Sequence, residues 1–291
     1  MTVLDGSFSK SRNALKVLQA LSSRRGPPRG ISRDDSFLNA PSWLFYENRY
    51  VRNFEFVIGL TTPAVLRAFG AELMNSNSTS ATTSRVRSLD ELLSPFISRP
   101  LDAETLHQFK AYLDLLLKWN AKINLTAVRN AEEIVQRHFG ESLFAAGQLQ
   151  LDAVSTLIDF GSGAGFPGLP IKIVAPHLQV TLIESQQKKA TFLREVIRNL
   201  HLDNVAVYAG RAEESSLKSQ IVTIRAVEKF EAALPIAASM VDAGGKLTLL
   251  IGSTQSQIAS NALPQFAWSN PVSIPRSRER VVLIGSSPKL T

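Results

Sequence analysis

Residues 158–170 read "IDFGSGAGFPGLP", an apolar run that gives way to four glycines and two prolines within a dozen positions. Gly161, Gly163 and Gly165 make a turn whose backbone carries almost no side chains, so a ligand can approach it where a Cβ would collide. Pro167 or Pro170 suits the first turn of a following helix, because its missing N–H costs no helical bond. Pro176 then ends that helix. Strand, glycine turn and helix in this order open a βαβ unit, and the rhythm on either side of it decides the fold.

Downstream, short apolar runs alternate with helical stretches. Strands are expected at 155–160, 179–184, 205–209, 220–225, 246–251 and 280–285, the last two antiparallel, with helices at 170–175, 188–199, 232–241 and 254–262. Such alternation predicts an α/β fold with a mostly parallel, doubly wound sheet and helices on both faces. Upstream, Asp102 is placed to cap a helix. In it Leu106, Phe109, Leu113, Leu116 and Leu117 recur at steps of three and four, with Lys110, Asp114 and Lys118 opposite, as far as about Trp119. A second helical segment over 132–146 completes a small N-terminal helical layer.

Four segments follow. Residues 1–73 form a basic extension, 74–87 a polar linker, 88–150 the helical segment and 151–291 the ligand-binding core. Residues 1–73 hold ten basic and six acidic side chains, net +4, of the +7 carried by all 291 residues, so the rest is only +3. Global charge is therefore weak support for a nucleic-acid partner. The first 33 residues, with seven basic positions and one acid, suit a transit peptide or a basic arm. The polar run that Met74 opens suits a later start, which would make 1–73 dispensable. A total of 44% hydrophobic residues supports a full-sized core. The absence of cysteine excludes disulfides, thiolate zinc sites and thiol nucleophiles. The apolar run at 54–73 is broken by Glu55, Pro63 and Arg67, and no secretory signal is evident, so a cytoplasmic protein without a membrane span is expected.

The glycine spacing is G-x-G-x-G, with Phe166 where the dinucleotide fingerprint G-x-G-x-x-G has its third glycine. Asp159, two residues before the first glycine, would be unfavourable beside a pyrophosphate and favourable beside an ammonium and a sulfonium. Glu184, at the end of the second strand, is placed to accept hydrogen bonds from two ribose hydroxyls. These features point to S-adenosylmethionine, with a nicotinamide or flavin site and a ligand-free tight turn as the alternatives. Without cysteine, methylation at pyrimidine C5 has no nucleophile. The fourth strand ends in "TIRAVEKFE", without the D/N-P-P-Y/F loop of exocyclic-amine methylation. A nitrogen with a free lone pair, such as guanine N7, needs only positioning and electrostatics. Arg211 after the third strand and Arg225 at the end of the fourth suit guanine O6 or a phosphate, if they are not simply surface arginines. His107, His138, His177 and His201 lack metal-ligand spacing, and only His138 is a candidate neighbour of the site.

The runs "LLKWNAKINLTAV" (116–128), "RHFGESL" (137–143), "IDFGSGAGFPGLPIKIVAP" (158–176), "LIESQQKKATFLREV" (182–196), "GRAEE" (210–214) and "IRA" (224–226) together resemble ribosomal RNA small subunit methyltransferase G, the glucose-inhibited division protein B family. The resemblance covers roughly residues 100–285. It implies a class I, Rossmann-like methyltransferase that moves a methyl group from S-adenosylmethionine to guanine N7 in 16S rRNA of the small ribosomal subunit, as a monomer without metal. On this resemblance Asp159, Gly161, Ser162, Gly163, Gly165, Phe166 and Glu184 would hold the cofactor, with Ala212 and Glu213 beside the adenine. Arg211 and Arg225 would lie near the methyl group and the RNA, Arg225 also touching the cofactor. Asn124, Leu125 and Thr126 would lie at the mouth of the site, unless they only terminate a helix, and Arg137 and His138 would face the substrate. The chain departs from the family at Ile251 and Val281, where basic residues are usual, at Gly285-Ser286 after the last strand, and at Glu141, where Asp is common.

Overall fold

The computed structural model describes residues 87–289; the expectations for 1–73, and for the linker apart from Arg87, lie outside the described residues. Ser88 opens helix α1 (Leu89–Leu93) with a capping box, its side chain accepting from the Glu91 N–H while Glu91 reaches back to the Ser88 N–H. Asp102 caps α2 (Ala103–Asn120) by accepting from the Thr105 N–H at 2.7 Å, as the sequence indicates. The second helical segment runs from α3 (Ala131–Ile134) through a π-helical turn (Val135–Gly140) into α4 (Glu141–Gly147). In that turn the Glu141 N–H reaches back five residues to the Gln136 carbonyl. Widened turns of this kind concentrate at functional sites, and this one carries Arg137 and His138.

The sheet follows. Its strands are β1 (Thr156–Phe160), β2 (Gln179–Ile183), β3 (Val205–Tyr208), β4 (Ser219–Arg225), β5 (Val241–Gly252), β6 (Ala267–Trp268), β7 (Val272–Ser273) and β8 (Arg280–Ser286). The crossing helices are α5 (Gly168–Val174), α6 (Gln187–Asn199), α7 (Phe230–Ser239) and α8 (Gln255–Ala262). Strand order is β3-β2-β1-β4-β5-β8-β6, with β7 also on β8. The first five strands run parallel and β8 lies antiparallel to β5, which is the expected α/β architecture. Three elements escape sequence reading: α1, β6 and β7 are too short to show a period. Helix α5 starts at Gly168, ahead of the expected 170, so Pro170 sits in its first turn and Pro167 just before it.

Alternation along the strands splits the core between the two faces. On one face Leu157, Leu182 and Ile221 join Phe109, Tyr112, Leu116, Phe139, Leu169 and Phe192 from the N-terminal helices, α5 and α6. On the other, Ile158, Val222, Ile224 and Leu249 pack with Phe230, Leu234 and Ala259 of α7 and α8. The N-terminal helices thus share the first face's core with the sheet. Ile251 and Val281 are register partners, both buried in the second cluster. A Cβ on Gly285 would come within 2.8 Å of the Trp268 ring. The positions that depart from the family's basic residues therefore have packing reasons for their apolar character.

Candidate functional site

Register brings the site together. Phe160 pairs with Ile183 on one side and Ile224 on the other, and Ile183 pairs with Tyr208, so four parallel strands end in one row. The next residue along three of these strands is Gly161, Glu184 or Arg225, at the carboxyl edge where doubly wound sheets bind ligands.

The loop after β1 has Gly161 at φ +69°, Gly163 at +57° and Gly165 at +92°, a left-handed region that side chains disfavour. It is anchored from three sides. The Ser162 N–H donates to the Ile183 carbonyl at 2.9 Å, and the Ser162 hydroxyl to the Asp159 carbonyl at 2.9 Å. Tyr112 of α2, fully buried, donates its hydroxyl to the Ala164 carbonyl. Glu184 is 6% exposed, and its carboxylate accepts from the Gly163 N–H at 2.9 Å and the Gln186 N–H at 2.7 Å. Each oxygen keeps a further acceptor site. A Cβ on Gly163 would meet no protein atom closer than 3.9 Å, so that part of the loop faces open space.

Asp159 lies deeper than its sequence position suggests. It is fully buried, with one oxygen accepting from the Thr223 hydroxyl at 2.8 Å and the other from the Gly168 N–H at 3.2 Å. Burial raises its pKa to about 6, with the hydrogen bonds from Thr223, Ser162 and Gly168 working against the rise. A Cβ on Gly168 would fall 2.7 Å from the Asp159 Cβ, so this glycine is required for the turn to close over the carboxyl group. Phe166 also turns inward. It stacks on Tyr112 at 5.5 Å between ring centroids and on His138 at 4.9 Å.

A second cluster gathers at the end of β4. The Arg225 Nη2 donates to the Arg137 carbonyl at 2.8 Å and to a Glu141 oxygen at 3.1 Å, while Arg280 holds the other Glu141 oxygen through Nε at 2.7 Å and Nη2 at 2.6 Å. The Glu141 side chain is 2% exposed and that of Arg225 12%. Burial lowers the Arg225 pKa, and Glu141 counteracts this. The backbone turns sharply after Arg225, with Ala226 at φ +52°. Arg137 also pairs with Glu133 at 3.2 Å, and its Nε is buried without a partner. His138 is buried, its Nε2 lies 2.7 Å from the Thr126 hydroxyl, and its Nδ1 has no partner. Desolvation, then the charges of Arg225, Arg137 and Arg280, lower its pKa to about 3, which keeps it neutral.

The mouth loop is built by Asn120. Its side chain accepts from the N–H groups of Leu125 and Thr126 at 3.0 and 3.1 Å and donates to the Val128 carbonyl at 3.3 Å. Asn124 is exposed and accepts from Arg129 at 2.8 Å. Arg211 and Glu213 are exposed and Ala212 is buried, on the short turn after β3. The ends of β3 and β4 are three strand spacings, about 14 Å, apart, with the strand that carries the glycine loop between them, and Arg211 follows the end of β3 by three residues. Sequence reading missed Tyr112, Asn120 and Arg280 as builders of the site and marked Glu141 only as a departure. The "WN" and "RHFGES" runs carried the signal for Asn120 and Glu141.

Among the described residues no group of three or more His, Asp or Glu is placed to hold a metal ion, and no helix is long and apolar enough to cross a membrane.

A protein from Exiguobacterium named ribosomal RNA small subunit methyltransferase G is 39% identical over 168 residues, covering 56% of this chain and 71% of that one. One of the same name from Lachnoclostridium phytofermentans is 42% identical over 151 residues, covering 50% and 62%. Among solved structures, M. jannaschii TYW2 in complex with AdoMet aligns with a TM-score of 0.47 at 16% identity, over 58% of this chain and 80% of that one. The family model for rRNA small subunit methyltransferase G (GidB) matches residues 105–279, from α2 to the edge of β8, and the chain belongs to that family.

Proposed function

We propose that this chain, as a cytoplasmic monomer, transfers the methyl group of S-adenosylmethionine to N7 of a guanine in 16S rRNA of the small ribosomal subunit. The observation that carries the reading is the row of strand ends that sets the glycine loop between Glu184 and Arg225. The residues present fit the cofactor. Gly163 offers an open cradle, and the two Glu184 oxygens keep acceptor capacity for a pair of ribose hydroxyls. Asp159 acts from beneath, fixing the loop through Gly168 and Thr223.

S-adenosylmethionine supplies, when bound, an electrophilic methyl group on a cationic sulfur. Guanine N7 carries a free lone pair, so the chain has no proton to remove and its task is to hold the purine in line. His138 suits this, since it stays neutral and packs on Phe166. Arg225, with Nη2 tied down, keeps other N–H groups for guanine O6, while exposed Arg211 and the mouth residue Thr126 are left for the rest of the RNA. Another RNA or a small-molecule acceptor would be favoured by the +3 charge outside residues 1–73 and by the missing basic residues, and a non-catalytic binding role by Ile251; packing accounts for Ile251 and Val281.

Small ribosomal subunits lacking N7-methylguanine, incubated with the protein and labelled S-adenosylmethionine, should gain one N7-methylguanosine by nucleoside mass spectrometry. Label on a different nucleoside, or none, would refute the reading.

A further inference from the structure

Arg225 and Arg280 come from strands on either side of β5, and Glu141 comes from a helix more than 80 residues earlier in the chain, yet one carboxylate holds both guanidinium groups. The carboxylate is almost fully buried and both its oxygens are engaged. Among the described residues the Nε and Nη1 groups of Arg225 and the Nη1 of Arg280 have no protein partner, and none of these atoms is buried unpaired. They are the parts of the two side chains that meet solvent. The Arg137 carbonyl fixes the same Nη2 of Arg225 from the π-helical turn, so that guanidinium is held on two sides while its remaining edge is free.

We infer that Glu141 is a positioning residue for the methyl transfer, and that it clasps Arg225 and Arg280 into one unit whose remaining N–H groups receive the acceptor nucleotide. This rests on the methyltransferase reading above and adds Arg280 to the residues that meet RNA. Charge balance gives the clasp a second effect. Transfer moves positive charge from sulfur onto the purine, and two bare guanidinium groups beside it would oppose that. Glu141 halves their net charge without occupying their outer edges.

The test uses the full chain with Glu141→Asp, Glu141→Gln and the double variant Glu141→Gln/Arg280→Gln. Glu141→Asp should keep transfer within about tenfold of the parent, because a carboxylate remains. Glu141→Gln should lower kcat on small subunits by about a hundredfold or more, with S-adenosylmethionine affinity by calorimetry within about threefold. An unpaired buried guanidinium can unfold the single variant. The double variant restores the charge balance, and it should fold with parental cofactor affinity and still fail in transfer. Recovery of transfer in the double variant, or full activity of Glu141→Gln, would overturn the proposal. A parent that methylates nothing would count against the function itself. The clasp is then read alone from the Nε–H signal of Arg280, the proton that Glu141 accepts, by NMR, which should be protected from exchange in the parent and Glu141→Asp but not in Glu141→Gln; equal protection in all three would overturn it.

Discussion

The hydroxyl of Tyr112 donates to the backbone carbonyl of Ala164, tying the middle of α2 to the glycine loop 52 residues later. The same ring stacks on Phe166 and packs against Phe139 and Phe192, so the N-terminal helices hold the loop from below. Tyr112→Phe keeps the ring and leaves the Ala164 carbonyl without its buried partner. We expect a loss of about 1–2 kcal/mol in stability. S-adenosylmethionine affinity should fall about threefold to tenfold, because the loop gains freedom. Denaturant titration and calorimetry check this; a stability loss with unchanged affinity would show that α2 does not organise the binding loop.

Gly163 and Gly165 should respond differently to the same added methyl group. At Gly165 a Cβ collides with the Tyr112 hydroxyl and with Leu169, and φ is +92°. Gly165→Ala should therefore cost about 3 kcal/mol or more and disturb the aromatic cluster. At Gly163 only the left-handed backbone opposes alanine, about 1–2 kcal/mol. Its methyl group projects into the open cradle. Gly163→Ala should thus fold yet bind S-adenosylmethionine at least about thirtyfold more weakly, and near-parental binding would place the cofactor elsewhere.

These positions also mark how far the sequence could be read. The six long strands, the antiparallel ending and the cap at Asp102 were legible because each rests on a local period or a single side chain. The glycine loop was legible for the same reason. Tyr112 was not, since a buried tyrosine on an apolar helix face looks like core until its partner across 52 residues is known. The Glu141 clasp needs β4, β8 and α4 assembled at once. Asp159 shows the converse limit: its spacing before the glycines identified a site, while its depth beneath the loop depended on Thr223, its register partner on β4.

Arg225 and Arg211 should separate in kinetics. Arg225→Ala leaves Glu141 paired with Arg280, so the chain should fold with a loss of about 2 kcal/mol. Transfer should fall at least about a hundredfold with S-adenosylmethionine affinity nearly intact. Arg211 is exposed, and Arg211→Ala should change stability by less than about 0.5 kcal/mol. Lying past the end of β3, three strands across the row from β4, it should raise KM for the subunit while kcat holds. Equal losses of kcat in both variants would mean that the two arginines act on the same atoms.

Asp159 and His138 should oppose one another in the acid range. The folded chain holds the Asp159 proton up to about pH 6, whereas the unfolded chain releases it near 3.8, so this group adds stability as pH falls through that window. His138 does the reverse. The unfolded chain takes up a proton below about 6.5 and the folded chain only near 3, so its contribution is full above 6.5 and is lost as pH falls. Between pH 4 and 6 each slope is at most about 1.4 kcal/mol per pH unit, and the two have opposite signs. Asp159→Asn should cost about 1–3 kcal/mol near neutrality, because its NH2 must face one of the two donors that the carboxylate accepts from, the Gly168 N–H or the Thr223 hydroxyl. It should then lose further stability relative to the parent between pH 6.0 and 4.5. His138→Gln should gain relative to the parent over the same interval. Urea titrations of the three chains at both pH values decide it, and parallel shifts in both variants would mean that the two groups do not titrate as their burial requires.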